Sequence, residues 1–424
     1  MTTAFRLLTT VVLGLALAGC QSFGRGVARA IIEESRAAPG PDMGLCEITG
    51  PSFEGLASGF LGASRETPKT IRLLIVHGIG EQLPGYSERL QRNLAARLGL
   101  DAIDPAIKTV KLIPSAPVAE HADNPEHGTL RIARFTDGLG RHLLTFEVTW
   151  SVITAPDRQR MKFDGVGAAA DTRAALNASL KNFMNQRVAD PLAYRGGKGE
   201  AIRDAVLQSI CWMTTGPWTS YPDTAARRCA WSMADRATVE GDSFAISSHS
   251  LGSRIAMDAL ESLGAIDAGE PGGTDHPLTA FRAKSISFFM LSNQLPMLQI
   301  GLVPPEMTGR ADRYCGADAP EATRRWFDKL SVVAFSDPND LLSYAIPPDF
   351  AAGNLDSRLC AATTNVLVKV AKELDLAVTT FASPEAAHLQ YEHNAAVLDL
   401  MVNGLGAAAP PARCSWLRYT PAAE

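Results

Sequence analysis

Short, mostly apolar runs recur along this chain, most of them followed by a turn and then by residues at helical spacing, and that rhythm limits the fold more than any other feature. The run IRLLIV (71–76) leads into HGIGEQLPG, after which YSERLQRNLAARLGL carries Leu90, Leu94 and Leu98 on one helical face. LLTFEVTW (143–150), SFAIS (243–247), SISFFML (285–291), LSVVAFS (330–336) and NVLVKV (365–370) have the length and residue types of buried strands. NAAVLDLMVNG closes the series as a helix ended by Gly404. Alternation of this kind predicts an α/β fold: a mostly parallel central sheet with helices on both faces.

About residues 151–240 interrupt the rhythm with helical and loop material placed before the strand at 243. Within it, CWMTTGPWTSYPDTAARRCAW (211–231) holds two cysteines and three of the six tryptophans, two of them between the cysteines. The preferred expectation for this loop is a small disulfide-pinned satellite core; the alternative is a lid or wall over an active site. The chain of 424 residues, 46% hydrophobic and 20% charged, suffices for one large α/β domain or two small ones. Its net charge of −5 comes with no lysine-arginine cluster, which excludes the nucleic-acid-binding class.

The N-terminus differs from the rest. MTTAFR supplies a positive charge and LLTTVVLGLALAG an apolar core too short for a permanent membrane span, so residues 1–19 read as a signal peptide. LAGC, ending at Cys20, resembles the bacterial lipobox, whose cysteine is lipidated and becomes the new first residue. The resemblance implies an envelope protein held by lipid, and Gln21 after the cysteine points to the outer membrane, facing the periplasm. Residues 20–68, rich in Pro, Gly and Ser, are expected to be a tether, and 407–424 an irregular tail. Export leaves six cysteines, Cys46, Cys211, Cys229, Cys315, Cys360 and Cys414, in an oxidising compartment, where disulfides are expected. Cys211 with Cys229 would close a short loop, but sequence does not choose among the pairings.

The residues that could carry chemistry centre on SHSLG (248–252), between the strand SFAIS and the helix SRIAMDALESLG. A serine nucleophile on a strand-to-helix turn needs small residues two before and two after it, usually glycines. Here Ser250 is the candidate nucleophile, Gly252 fits the pattern, and Ser248 departs from it. The glycine loop HGIG after the first strand would offer a backbone N–H from Ile79 or a neighbour to a substrate oxyanion, with Leu251 as the second donor. His77 is expected to hold that loop rather than act as a base, and His249 to point away from the serine. Downstream, DPND offers Asp340 or Asp337 as the acid, with Asp340 preferred because Asp337 precedes proline and suits a turn. His388 and His393 are the candidate bases, and His388 is preferred because His393 abuts a helix N-terminus, whose positive end opposes an imidazolium. His121, Asp123, Glu126 and His127 match no established metal site, and a polar loop is expected there.

VHGIGEQ, SHSLGS, DPND and HLQYEHNAAV, in that order, resemble the α/β-hydrolase superfamily, in particular its lipase-like and phospholipase-like branches, over roughly residues 70–405. The resemblance implies an α/β-hydrolase domain at 69–406 with the insertion at 151–240. It also implies a Ser250-His388-Asp340 triad that cleaves a small-molecule or lipid acyl ester through an acyl-enzyme, without cofactor or metal. A second expectation, from another class, is a catalytically silent hydrolase fold with a binding or envelope-assembly role, suggested by Ser248 and the insertion.

Overall fold

Ile71 to Val76 are apolar except for Arg72 because their strand lies in mid-sheet, where alternate side chains enter two different cores. Leu74 and Val76 join Leu144, Phe146, Phe288 and Val332 on one side. Ile71, Leu73 and Ile75 join Phe289, Val333 and Phe335 on the other. A computed structural model describes residues 46–114 and 127–406, apart from 168–170, 175–176, 179–180, 182–183, 186–187, 270–275 and 376–379. The signal segment, Cys20, the tether to residue 45, His121, Asp123, Glu126, the tail with Cys414 and the side chain of Cys46 lie outside the described residues.

The main sheet has ten strands: β1 (Cys46–Thr49), β2 (Lys69–Val76), β3 (Ala106–Leu112), β4 (Gly128–Thr136), β5 (Arg141–Thr149), β6 (Thr224–Ala226), β7 (Ser243–His249), β8 (Ser285–Leu291), β9 (Lys329–Ser336) and β10 (Ala361–Val368). Their spatial order is β1-β10-β9-β8-β7-β2-β5-β4-β3-β6. From β10 through β5 every neighbouring pair is parallel. β4 runs antiparallel to both β5 and β3, β1 runs antiparallel to β10, and β6 lies parallel to β3. The result is an α/β fold on a mostly parallel, mixed sheet. β2 has β5 on one side and β7 on the other, so successive crossovers leave it in opposite directions, and the carboxyl ends of β2 and β7 lie at the kind of topological switch point where ligands gather in open α/β sheets.

The helices that matter here are α1 (Glu88–Arg97), α2 (Ala155–Met161), α3 (Ala189–Arg195), α4 (Gly199–Met213), α5 (Gly252–Gly269), α6 (Pro384–Leu389) and α7 (Ala395–Asn403). α1 and α7 pack together on one face, burying Leu90, Leu94, Val397 and Met401. α4 and α5 cover the other with Ile202, Val206, Ile255 and Ala259. No helix among the described residues is long and apolar enough to cross a membrane.

Two expectations need correction. Residues 46–68 are not a tether: β1 pairs with β10, Phe53–Glu54 pairs with Gly404–Leu405, and Ile48, Phe53, Leu56 and Phe60 are buried. Four large apolar side chains outweigh the Gly and Ser around them. The loop 211–231 is neither a separate satellite core nor a wall over the site. Cys211, Trp212, Met213, Tyr221 and Cys229 belong to the same core as α4 and α5, and Cys211 is bonded to Cys229. Arg72 holds the loop by donating to Met213 O and Gly216 O, at 2.8 and 2.7 Å, and to the Tyr221 hydroxyl. Its Nε reaches Asp242, which precedes β7, so the loop is tied to the amino end of that strand. A second disulfide joins Cys315 to Cys360.

Candidate active site

β7 ends at His249, α5 begins at Gly252, and Ser250 turns the chain between them with φ of 56°, in the left-handed region that residues with a Cβ avoid. The turn is pinned by Ser250 N–H donating to Leu291 O at 2.9 Å and by Ser253 N–H donating to Ser250 O at 3.0 Å. Both flanks are crowded. A Cβ on Gly252 would lie 2.5 Å from Val76 O, and one on Gly78 would lie 2.6 Å from the Ser250 Cβ. Ser248 is buried in β7 and its hydroxyl makes no hydrogen bond, so this position accepts a serine in place of the usual glycine.

His388 lies in the last turn of α6. Pro384 in the first turn and the Ser383 hydroxyl, which accepts from Ala386 N–H, start the helix one turn earlier. That puts the imidazole near a helix C-terminus, the end that favours a cation. Its Nε2 is 3.1 Å from Ser250 Oγ, and its Nδ1 is 3.0 and 3.1 Å from the two carboxylate oxygens of Asp340. All three residues are buried. Burial by itself would raise the Asp340 pKa. Hydrogen bonds from His388, Ser292 and the Leu342 amide, with the charge of His388, outweigh it and hold the carboxyl below its ordinary value.

The alternatives fall elsewhere. Asp337 accepts the amides of Asn339, Val370 and Ala371 at 2.7, 2.5 and 3.1 Å, and so shapes the DPND turn. The Nε2 of His393 meets Arg89 at 3.1 Å and Glu392 at 3.5 Å. Asn394 caps α7 by accepting from Ala396 and Val397. His249 turns its Nε2 to the backbone carbonyl of His388, 2.7 Å away, and stands edge-on to that ring.

Ser292, the residue after β8, joins the group without any motif to announce it: its Oγ is 2.7 Å from Asp340 Oδ2 and 2.8 Å from His388 Nδ1. The available signal was positional, a polar residue directly after a buried parallel strand and thus on the same sheet edge as Ser250.

The glycine loop after β2 is held rigidly. His77 stacks on Trp150 with centroids 4.4 Å apart, its Nδ1 is 2.7 Å from Gly78 O, and its Nε2 accepts from Trp150 N–H at 3.1 Å. Full burial lowers its pKa to about 3, so the ring is neutral with its proton on Nδ1. Gly80 N–H donates to Asp190 of α3 at 2.5 Å, and Asp190 pairs with Arg158 of α2 at 2.9 Å. The wholly buried carboxylate of Glu147 accepts the amides of Gly85 and Ser87. The Gly80 amide is committed to Asp190, and Ile79, next to Gly78, is the loop's candidate oxyanion donor on the sequence pattern. Among the described residues no protein group accepts the Leu251 N–H.

Among the described residues no three His, Cys, Asp or Glu side chains gather so as to hold a metal ion, and His127 faces Asp204, with Nδ1 3.8 Å from the carboxylate. Neither family models nor curated proteins nor solved structures match this chain. Its chemistry is therefore read from the atoms. A buried hydroxyl, imidazole and carboxylate in series, beside an unclaimed amide, can activate an oxygen nucleophile and receive a negative oxygen.

Gly78→Ala is expected to abolish activity and lower stability by several kcal/mol, since both atoms nearest the new methyl, Ser250 Cβ and His249 O, sit in a turn that cannot shift. Thermal unfolding and turnover measured together check it. His77 gives a pH signature. Its folded pKa lies below the unfolded value of 6.5, so the unfolded chain binds the extra proton and stability falls as pH drops from 6.5 toward 3, by about 1.4 kcal/mol per unit. Denaturant titrations at pH 7, 6 and 5 are expected to show that slope in wild type and its loss in His77→Gln.

Proposed function

We propose that the protein is a serine carboxylester hydrolase with an α/β-hydrolase fold, tethered to the bacterial envelope through lipid on Cys20. The observation that carries the proposal is the single imidazole of His388 bridging Ser250 Oγ and Asp340 from its two nitrogens. In the proposed reaction, Ser250 Oγ attacks the acyl carbonyl while its proton passes to His388 Nε2, and Asp340 stabilises the imidazolium. The carbonyl oxygen takes up the negative charge and is met by the N–H groups of Leu251 and Ile79. His388 then protonates the departing alcohol, and water, deprotonated by the same nitrogen, releases the acid and restores Ser250.

Several features support this reading beyond the three side chains. The strained dihedral of Ser250 is the geometry of a nucleophile presented on a strand-to-helix turn. The chain order of serine, acid and histidine is that of the hydrolase resemblance, and Ser250 and Asp340 follow the carboxyl ends of the parallel strands β7 and β9. A small-molecule or lipid acyl ester is the proposed substrate class. The lipid anchor rests on the sequence of residues 1–20 alone.

A fluorophosphonate probe is expected to label the wild-type protein and not Ser250→Ala, and Asp340→Asn is expected to lower turnover of p-nitrophenyl esters by ~10,000-fold. A folded wild type that takes no label would assign the protein to binding rather than catalysis. Separately, cells fed labelled palmitate are expected to incorporate it into the wild-type chain and not into Cys20→Ser; equal incorporation would remove the anchor.

A further inference from the structure

We infer that Ser292 is a positioning residue that locks the Asp340 carboxylate onto His388, an inference that rests on the hydrolase reading. Ser292 ends β8 as Ser250 ends the neighbouring β7, and the two serines share the left-handed conformation, with φ of 51° and 56°. A turn of this shape is most easily made by glycine, so a serine there spends conformational energy that only its side chain can return. That side chain makes two contacts, to Asp340 Oδ2 and His388 Nδ1, and the residue is fully buried, so water does not compete for its hydroxyl.

The proton inventory assigns the direction of each bond. Nδ1 must carry a proton if Nε2 is to accept from Ser250, so the Ser292 hydroxyl cannot donate to Nδ1. It donates to Asp340 Oδ2 and turns a lone pair to the Nδ1 proton. Oδ1 is held from the other side by the Leu342 amide at 2.9 Å. The carboxylate is thereby fixed at both oxygens, facing the imidazole, and the ring is aimed at Ser250. Without the hydroxyl, Oδ2 keeps only the imidazole, and the carboxylate is held against rotation about Cβ–Cγ from one side, by the Leu342 amide and the imidazole at Oδ1.

Ser292→Ala and Ser292→Gly test this in the full-length protein. Each is expected to lower kcat on p-nitrophenyl butyrate roughly tenfold to a hundredfold with KM within about twofold, while Ser292→Cys, which keeps a weak donor, recovers part of the loss. Ser292→Gly relaxes the turn and is expected to melt no lower than wild type, which separates the loss from misfolding. In an Asp340→Ala background the Ser292→Ala change is expected to cost nothing further, because the hydroxyl then has nothing to orient. A wild-type kcat in both single variants, or a full additional loss on top of Asp340→Ala, overturns the inference. An independent readout does not need turnover: the downfield proton NMR signal of His388 Nδ1–H is expected in wild type and to be lost to solvent exchange in Ser292→Ala. An unchanged signal in the variant overturns the inference even if the wild type hydrolyses nothing, and a wild type inert to probe and ester, with the signal present and sensitive to Ser292, overturns only the hydrolase reading.

Discussion

The candidate site depends on one close approach, the passage of the Ser250 turn between the carboxyl ends of β2 and β8. The Ser250 amide is tied to Leu291 at the end of β8, while Gly252 lies against the carbonyls of Val76 and His77 at the end of β2. Three strand ends and the start of α5 thus meet within van der Waals contact, and only missing side chains at 78 and 252 make room. The crowding explains why Ser248 is tolerated. The tight contacts fall on residues 78 and 252, and at position 248 a buried hydroxyl goes without a hydrogen bond. A small side chain is all that position demands.

Much of this was legible in the sequence, for reasons that also show where legibility ends. Strands buried on both faces read clearly because most of their residues are apolar, as in β2, β8 and β9. β3 and β4 lie outside the parallel core and carry Lys108, Lys111, Arg131 and Arg134 among their apolar residues, so no apolar run marks them. The turn between β4 and β5 was written in DGLG, where Gly138 and Gly140 have positive φ and Asp137 accepts the amides of Leu139 and Arg141. Ser250, Asp340 and His388 could be chosen because each competitor had a visible backbone role. Asp337 does hold a turn and Asn394 does cap a helix. Ser292 could not, since a lone serine after a strand carries no pattern and its partners are 48 and 96 residues away.

The histidines near the site show how environment divides one side chain among several roles. His77 is walled in by Trp150 and stays neutral, which suits a fixed donor and acceptor holding a loop. His393 lies beside Arg89, and burial together with that positive charge lowers its pKa, so it is poorly suited to become an imidazolium. His388 alone has a carboxylate on one nitrogen and a hydroxyl on the other. His249 supports it from behind through the backbone carbonyl, so the ring that could be confused with a base on sequence proximity instead fixes the end of α6.

The insertion between β5 and β7 is part of this arrangement rather than an addition to it. It grips β2 at two levels. Within the strand, the Arg72 guanidinium fills its donors with Met213, Gly216 and Tyr221 from the insertion and Asp242 beyond it. After the strand, Asp190 takes the Gly80 amide and is itself neutralised by Arg158, which also donates to Ser151 O at 2.7 Å. A buried guanidinium or carboxylate stripped of such partners is strongly destabilising, by about 3–5 kcal/mol for a broken buried pair. The charges on β2 and in the insertion therefore require each other, and the glycine loop takes its shape from partners 73 and 110 positions downstream, Trp150 and Asp190. The central strand, the insertion and the glycine loop have to fold as one unit, and the candidate site takes its shape from all three.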